Sequence, residues 1–226
     1  MSDDTKHAHG TDDGTAIVVF GAGGRVGRAA VAEAVRRGHA VTAVVRDPAR
    51  HPDLAGDGVT VARGDATDAA SVAALATGHR AAINAAVRLD VSPEEFFVTA
   101  AKAMVSGLTR AGVRRFVTLG VASTLEVSPG VRMMDGPDFP ELHRVFSQGH
   151  VAEFETLHGS ADALDWLMVC PPLELAADVP RTGRYRTAEG ALIDGGGRIS
   201  HADLALALLD EVEAPRHRRI QLAVSS

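Results

Sequence analysis

Residue types that mark several classes of protein are scarce in this chain. It has one cysteine, Cys170, which excludes a disulfide framework, and the apolar run 166–170 around it predicts a buried thiol. Only two of the 23 basic residues are lysines and the formal net charge is −6, which disfavours nucleic acid or an anionic membrane as the main partner. No apolar run approaches the ~20 residues of a membrane span, and no apolar segment follows Met1, so we expect a cytoplasmic protein.

The patterning of the chain favours one folded domain. Residues 1–14 are polar and acidic without periodicity and are predicted to be a disordered tail, followed by a single domain at 15–226. Apolar runs predict strands at 16–20, 41–45, 59–61, 81–86, 115–119, 165–169 and 219–224. Helices are predicted at 25–37, 68–76, 93–111, 141–158 and 200–213, and a loop at 127–140. This alternation predicts an α/β fold, a doubly wound parallel sheet of Rossmann type.

A glycine-rich turn is the strongest motif in the chain. Gly21, Gly24 and Gly27 are spaced three apart, directly after the first apolar run and at the start of the first predicted helix. Glycines at such a junction let the backbone approach a pyrophosphate, and the helix N-terminus presents free N–H groups and partial positive charge to it. We therefore predict a dinucleotide site in which Gly21, Gly24, Arg25, Val26 and Gly27 bind the cofactor.

The end of the second predicted strand indicates which dinucleotide binds. Arg46 occupies the position that meets the ribose 2′ group, where an acid suits NAD and an arginine suits the 2′-phosphate of NADP. Because a guanidinium forks onto phosphate oxygens, the predicted cofactor is NADP (NADPH). Arg25 and Arg50 are candidates to assist Arg46, with a solvated surface position as the alternative for each.

Residues after the third and fourth strands complete the predicted cofactor site. Asp65 and Ala66 follow the third strand, where the Asp65 carboxylate can reach the rim on which an adenine would lie. The alternative for Asp65 is a turn residue that accepts from local backbone N–H groups. Ala85, Ala86 and Val87 follow the fourth strand, where small side chains let a ribose and diphosphate pass, and ordinary core packing is their alternative.

Motifs along the whole chain resemble those of one family. They are Gly21-x-x-Gly24-x-x-Gly27, Arg46, the turn 64–68, the strand 114–123 and the C-terminal segments 181–186, 199–203 and 207–213. They resemble the atypical short-chain dehydrogenases with NmrA-like NAD(P)-binding folds, and in particular a bacterial group described as NADH-flavin reductases and related to biliverdin-IXβ/flavin reductase. The resemblance covers about residues 15–225. It implies an NAD(P)-binding Rossmann domain whose C-terminal part forms a small substrate-pocket region.

Catalytic residues are implied by this resemblance and by the departures from it. The only tyrosine, Tyr185, is followed four residues later by Glu189, so the Tyr-x-x-x-Lys pair of ordinary short-chain dehydrogenases is absent. His150 stands where many relatives carry a lysine. Ser123 stands where relatives place a serine beside the nicotinamide, and a cap of the following loop is its alternative. His150 and Ser123 are therefore the candidate catalytic residues, and for His150 the alternative is a partly exposed helix residue that only packs against the cofactor.

These features predict an NADPH-dependent oxidoreductase that passes hydride to a small molecule, a flat conjugated acceptor such as a flavin or quinone. Such acceptors need positioning and exclusion of water more than a strong acid. The acceptor pocket is expected between the 127–140 loop and Leu173, which replaces a second histidine of flavin reductases, and Pro171 is expected near the nicotinamide. The alternatives are a tailoring reductase or isomerase of a secondary metabolite, and a non-catalytic NADP(H)-sensing regulatory module.

His143, His150 and Glu153 lack the i, i+4 histidine pair of a helical zinc site, so no metal is predicted.

Overall fold

A mostly parallel β-sheet forms the centre of the molecule, which the computed structural model describes for residues 15–160, 163–176 and 179–226. The strands, in chain order, are β1 Ile17–Phe20, β2 Val41–Val45, β3 Val59–Arg63, β4 Ala81–Asn84, β5 Arg115–Leu119, β6 Glu126–Ser128, β7 Val131–Arg132, β8 Asp165–Cys170, β9 Glu174–Ala176, β10 Arg186–Glu189, β11 Arg198–Ser200 and β12 Gln221–Ser225. The helices are α1 Arg25–Arg36, α2 Ala69–Ala76, α3 Pro93–Ala111, α4 Glu141–His158 and α5 His201–Glu213.

Eight of these strands lie side by side in the order β10–β12–β8–β5–β4–β1–β2–β3. All neighbouring pairs are parallel except β10, which is antiparallel to β12. The strand order reverses between β1 and β4, so the carboxyl ends of these two strands open a crevice at the switch point of the sheet. This arrangement confirms the predicted α/β fold with a doubly wound, Rossmann-type sheet.

Local capping chemistry sets the ends of the helices. The Asp68 side chain accepts a hydrogen bond from the Ala70 amide at the start of α2, and Ser92 accepts one from the Glu95 amide at the start of α3. α3 ends at Gly112, whose φ of +75° is a left-handed conformation that glycine adopts without a side-chain clash. The predicted strands and helices are all present, with ends that shift by one or two residues.

Five strands lie where the sequence predicts none. The predicted loop at 127–140 contains most of a hairpin of β6 and β7, with Gly130 at φ +76° in its turn, and a one-turn helix at 133–135. β9 pairs with β11 in parallel, and β10 borders the main sheet. These strands have two to four residues, too few to show an alternating pattern in the sequence. The predicted tail at 1–14 lies outside the described residues.

The helices form one layer on each face of the sheet. α1 and α5 pack together on one face, while α2, α3 and α4 cover the other, where Met104, Leu108 and Trp166 are fully buried. Cys170 lies in the same layer, and burial raises the pKa of its thiol to about 12, which confirms the predicted buried thiol. Within the described residues, no helix combines the length and apolarity that crossing a bilayer requires.

An ionic cluster ties α1 to the C-terminal part of the chain. The buried Glu33 carboxylate accepts hydrogen bonds from Arg36 and Arg37, both at 2.8 Å, and from Arg181 at 3.2 Å. Arg37 also donates to Asp210 on α5 at 2.8 Å. The hydrogen bond from Arg36, helped by Arg37, outweighs the effect of burial and lowers the pKa of Glu33 from 4.5 to about 2.

We expect the substitution Glu33→Gln to lower stability in a pH-dependent way. Because the pKa of Glu33 is lower in the folded state, its stabilisation is complete above pH 4.5 and is lost as the pH falls towards 2. At pH 7 the variant should lose on the order of 1–2 kcal/mol of unfolding free energy. This loss is smaller than the full pKa shift implies, because Arg36 is half exposed and solvent screens its charge. Urea unfolding from pH 3 to 7 measures this, with the exposed Glu155→Gln as the control. Equal pH slopes for the Glu33 variant and wild type would contradict the assignment.

Candidate active site

Two adjoining clefts open at the carboxyl ends of the parallel strands. The first cleft, of about 160 Å³, lies over the ends of β1, β2 and β3, and the second, of about 500 Å³, lies over the ends of β1, β4, β5 and β8. Gly24, Ala85, Ala86 and Val87 line both clefts, so the two form one groove across the switch point of the sheet. In open α/β sheets this crevice is the place where ligands bind.

The three glycines of the turn after β1 meet different steric demands. Gly21 has φ +74°, and a Cβ atom there would lie 2.4 Å from the amide nitrogen of Ala86. A Cβ atom at Gly27 would lie 2.2 Å from the Gly21 carbonyl oxygen. At Gly24 the nearest atom is the same oxygen at an ordinary 3.5 Å. The fold itself therefore requires Gly21 and Gly27, whereas at Gly24 the open space belongs to the groove.

The start of α1 faces this groove with its backbone donors. Gly24 is the N-cap and has no side chain to satisfy the first-turn N–H groups of Arg25, Val26 and Gly27. Such an uncapped N-terminus carries partial positive charge and suits a diphosphate. Arg25 and Val26 line the second cleft, and Gly27 is buried against the backbone of Gly21. The residues present thus fit a dinucleotide, which was the prediction for this turn.

The first cleft is polar on the side formed by the ends of β2 and β3. Arg46, Asp65 and buried Ala66 line it there, and Arg88, which follows β4, also lines this cleft. Asp65 accepts hydrogen bonds from the Thr67 amide and hydroxyl, at 2.8 and 2.6 Å. This is the contact expected if Asp65 is a turn residue that accepts from local backbone N–H groups. Burial raises the pKa of Asp65, but these hydrogen bonds and the nearby Arg88 and Arg46 outweigh it, so the pKa lies below its usual value. The adenine contact of Asp65 stays a prediction.

His51, rather than Arg50, comes to the first cleft beside Arg46. Arg50 is exposed and does not line the cleft, whereas His51 does, with its ring against Gly23. The Nδ1 atom of His51 lies 3.0 Å from Arg28, which also pairs with Asp53 and donates to the Gly23 carbonyl oxygen. Sequence reasoning missed His51, because a histidine in an irregular segment carries no periodic signal.

The second cleft has mainly apolar walls. Its apolar lining consists of Val26, Ala85, Ala86, Val87, Phe97, Leu119, Val121, Phe146, Pro171, Pro172, Leu173 and Leu175. Pro171 and Leu173 both line this cleft, and the contact of Pro171 with a nicotinamide stays a prediction. The segment 127–140 does not line this cleft, because the hairpin of β6 and β7 turns it away. The polar side chains of the lining are those of Arg25, His150 and His201.

Ser123 does not reach the cleft. It is 1% exposed, and its hydroxyl lies 2.7 Å from that of Ser147 on α4. The one-turn helix at 122–124 directs the residue into the core instead of along the end of β5. The structure therefore places His150 at the groove but leaves Ser123 outside it.

His150 is held between aromatic rings and a buried carboxylate. Its ring centroid lies 3.8 Å from that of Phe97 and 5.1 Å from that of Phe146. Its Nδ1 atom lies 2.8 Å from Glu153, which is 1% exposed and accepts a hydrogen bond of 2.9 Å from Thr118. Among the described residues no three metal-ligating side chains come together, and Glu153 serves here as the partner of His150.

A second histidine of this cleft was missed from the sequence. His201 is the first residue of α5, directly after its N-cap Ser200. Burial, and then the nearby Arg25 guanidinium, lower the pKa of His201, so its neutral form is favoured at pH 7. The predicted helix at 200–213 starts within one residue of α5, and the Ser200 side chain caps α5 by accepting a hydrogen bond from the Asp203 amide. Only the pairing of β9 with β11 brings that helix start to the cleft.

Comparison with known proteins decides the family. Residues 21–215 match the model of a family described as NAD(P)H-binding. The chain belongs to this NAD(P)H-binding family. The matched span includes the glycine turn, Arg46 and His150, and membership confirms the predicted class of cofactor.

Similar proteins cover nearly the whole chain. The Bacillus subtilis (strain 168) protein YwnB is 30% identical over 217 residues, which are 93% of this chain and 98% of YwnB. A proposed exported protein from Burkholderia pseudomallei is 36% identical with a TM-score of 0.83, over 94% of this chain and 100% of that one. A proposed NADH-flavin reductase from Streptococcus pneumoniae is 27% identical with a TM-score of 0.81, again over 94% and 100%. The family match and the Streptococcus pneumoniae protein agree with the predicted resemblance to the flavin-reductase group and with the predicted class, an NAD(P)H-dependent reductase.

We expect Gly24→Val to abolish dinucleotide binding while the fold survives. Gly24 has φ −76°, and an added Cβ makes only an ordinary contact with the protein, so the branched side chain fills the groove instead of straining the turn. Calorimetric titration with NADPH measures the loss, and circular dichroism checks the fold. Gly56→Val, at an open position outside both clefts, is the control. If a folded Gly24→Val variant bound NADPH with unchanged affinity, the groove would not be the dinucleotide site.

Proposed function

We propose that this protein is an NADPH-dependent reductase that passes hydride to a flat conjugated acceptor of the flavin or quinone type. The observation that carries the proposal is the apolar second cleft, which shares Gly24 and Ala85–Val87 with the first cleft and is walled by Phe97 and Phe146. A planar acceptor stacks on such walls, which also exclude water. A cytoplasmic location is part of this proposal, since the reaction needs a compartment that regenerates NADPH.

Arg46 supports the choice of NADPH over NADH. When bound, NADPH supplies the hydride from its nicotinamide ring. The glycine turn and the start of α1 would hold its diphosphate, and the exposed guanidinium of Arg46 lines the first cleft, where the 2′-phosphate would lie. His51 adds a second nitrogen donor to the same end of the groove.

The polar groups of the second cleft define what the protein can do for the acceptor. His150 can hydrogen-bond the acceptor and deliver a proton after hydride arrives. Hydride transfer to a flavin or quinone builds a delocalised anion, so solvent can also protonate it and the demand on His150 is modest. The similarity to a proposed NADH-flavin reductase supports this class of acceptor.

Reduction of a carbonyl group, as in the tailoring of a secondary metabolite, is the second candidate. The buried pair of His150 and Glu153 favours it, because a developing alkoxide needs a nearby proton and no Tyr-x-x-x-Lys pair supplies one. A third outcome is tight NADPH binding without turnover of any acceptor, which would indicate the NADP(H)-sensing module.

We expect Arg46→Asp to weaken NADPH binding by about one to two orders of magnitude. A charge-assisted contact contributes ~1.5–3 kcal/mol, and the new carboxylate also repels the phosphate. NADH, which lacks the 2′-phosphate, should lose much less affinity. Titration of both cofactors measures the difference, and Arg50→Asp is the matched control because Arg50 is exposed outside the cleft. If the affinities for NADPH and NADH fell equally, Arg46 would not contact the 2′-phosphate.

The size of the effect of His150→Ala separates the two reactions. For a flavin or quinone we expect kcat to fall by less than about tenfold, whereas the loss of the donor to a carbonyl would cost ~10²–10⁴-fold. Steady-state oxidation of NADPH with each acceptor measures kcat, and titration checks that NADPH affinity is unchanged. The control is His143→Ala, an exposed residue on the same helix. A loss of a hundredfold with a flavin would overturn the flavin-type proposal.

A further inference from the structure

Four buried polar side chains form one hydrogen-bonded chain beside the second cleft. Asn84, Thr118, Glu153 and His150 are each at most 5% exposed. Burying a polar group costs free energy unless it is hydrogen-bonded, and each of these four side chains has a hydrogen-bond partner. We propose that Glu153 is a positioning residue that sets the tautomer of His150 and presents Nε2 of its ring to the acceptor, while Thr118 and Asn84 orient the Glu153 carboxylate.

The direction of the hydrogen bonds follows from a backbone donor. The Ala86 amide donates to the Asn84 side-chain oxygen at 3.1 Å. Because an amide N–H only donates, the oxygen of Asn84 must face Ala86, and its NH₂ group must face the Thr118 hydroxyl at 3.5 Å. The Thr118 oxygen therefore accepts, and its own proton is directed to Oε1 of Glu153 at 2.9 Å.

The same direction continues into the histidine ring. One oxygen of Glu153 accepts from Thr118, and the other, Oε2, lies 2.8 Å from Nδ1 of His150. An ionised carboxylate only accepts, so Nδ1 carries the proton and Nε2 is the ring nitrogen left for the cleft. Phe97 and Phe146 pack on the ring and oppose its rotation.

This arrangement gives each ring nitrogen of His150 its own role, and the role of Nε2 rests on the proposed function. In the protonated ring the Nε2–H bond breaks, and the proton joins the acceptor anion that hydride transfer has formed. The neutral ring with its proton on Nδ1 remains, and solvent returns a proton to Nε2. Glu153 keeps its hydrogen bond to Nδ1–H throughout. The hydrogen-bonded chain starts at the Ala86 amide, and Ala86 lines the groove. It therefore connects His150 to the backbone that would contact the cofactor.

The ¹⁵N chemical shifts of the ring nitrogens test the tautomer without turnover. In ligand-free wild-type protein at pH 9, with ¹⁵N-labelled histidine, we expect a pyridine-type Nε2 and a pyrrole-type Nδ1 for His150, identified by their loss in His150→Gln. Glu153→Gln should reverse the two, because the new amide oxygen would accept from Thr118 and its NH₂ would donate to Nδ1. Thr118→Val is the matched control, since it removes a buried hydrogen bond but leaves the carboxylate at Nδ1.

Two results would overturn the inference. One is a pyrrole-type Nε2 in the wild type, a measurement that holds even if a variant fails to fold. The other is a folded Glu153→Gln whose His150 keeps its proton on Nδ1. Failure of the proposed function is a separate result: absence of NADPH oxidation with every acceptor would remove the reductase but leave these shifts as they are.

Discussion

The close approach of the turn after β1 to the turn after β4 is the contact on which the rest of the site depends. Gly21 passes so near to Ala86 that no side chain fits between the two backbones. This approach is possible because β1 and β4 are neighbours in the sheet and both end at the switch point. It carries α1 to a position where its first backbone donors face the groove.

The groove that results has two ends of different chemistry. Charged and polar side chains, including Arg46 and Asp65, gather at the ends of β2 and β3, whereas aromatic and proline side chains wall the second cleft. A dinucleotide has the same division between its phosphate-rich adenosine half and its reactive ring. In the proposed function the nicotinamide ring lies at the apolar end, where water must be excluded. His150 lies at that end between Phe97 and Phe146 instead of at the surface.

The sequence predicts well what local chemistry determines. The turn 21–27, the helices and the long strands depend on neighbouring residues, and the structure has them where they were expected. Side chains that reach the site through distant contacts were not predictable. His201 depends on the pairing of two three-residue strands, and His51 lies in an irregular segment. Glu153 follows His150 by three residues in the sequence, but only the contacts with Phe97 on α3 and Thr118 on β5 show that the two side chains are buried side by side.

The burial of Cys170 has a consequence for how the protein can be studied. The thiol is 1% exposed in β8, and a Cβ atom on Gly120 would lie 2.7 Å from its sulfur, so an alkylating reagent has no approach in the native state. With its pKa raised to about 12, the thiol is also almost wholly protonated at neutral pH, and thus a poor nucleophile. Because Cys170 is the only cysteine, the rate at which a thiol reagent labels the protein measures how often the core opens around β8.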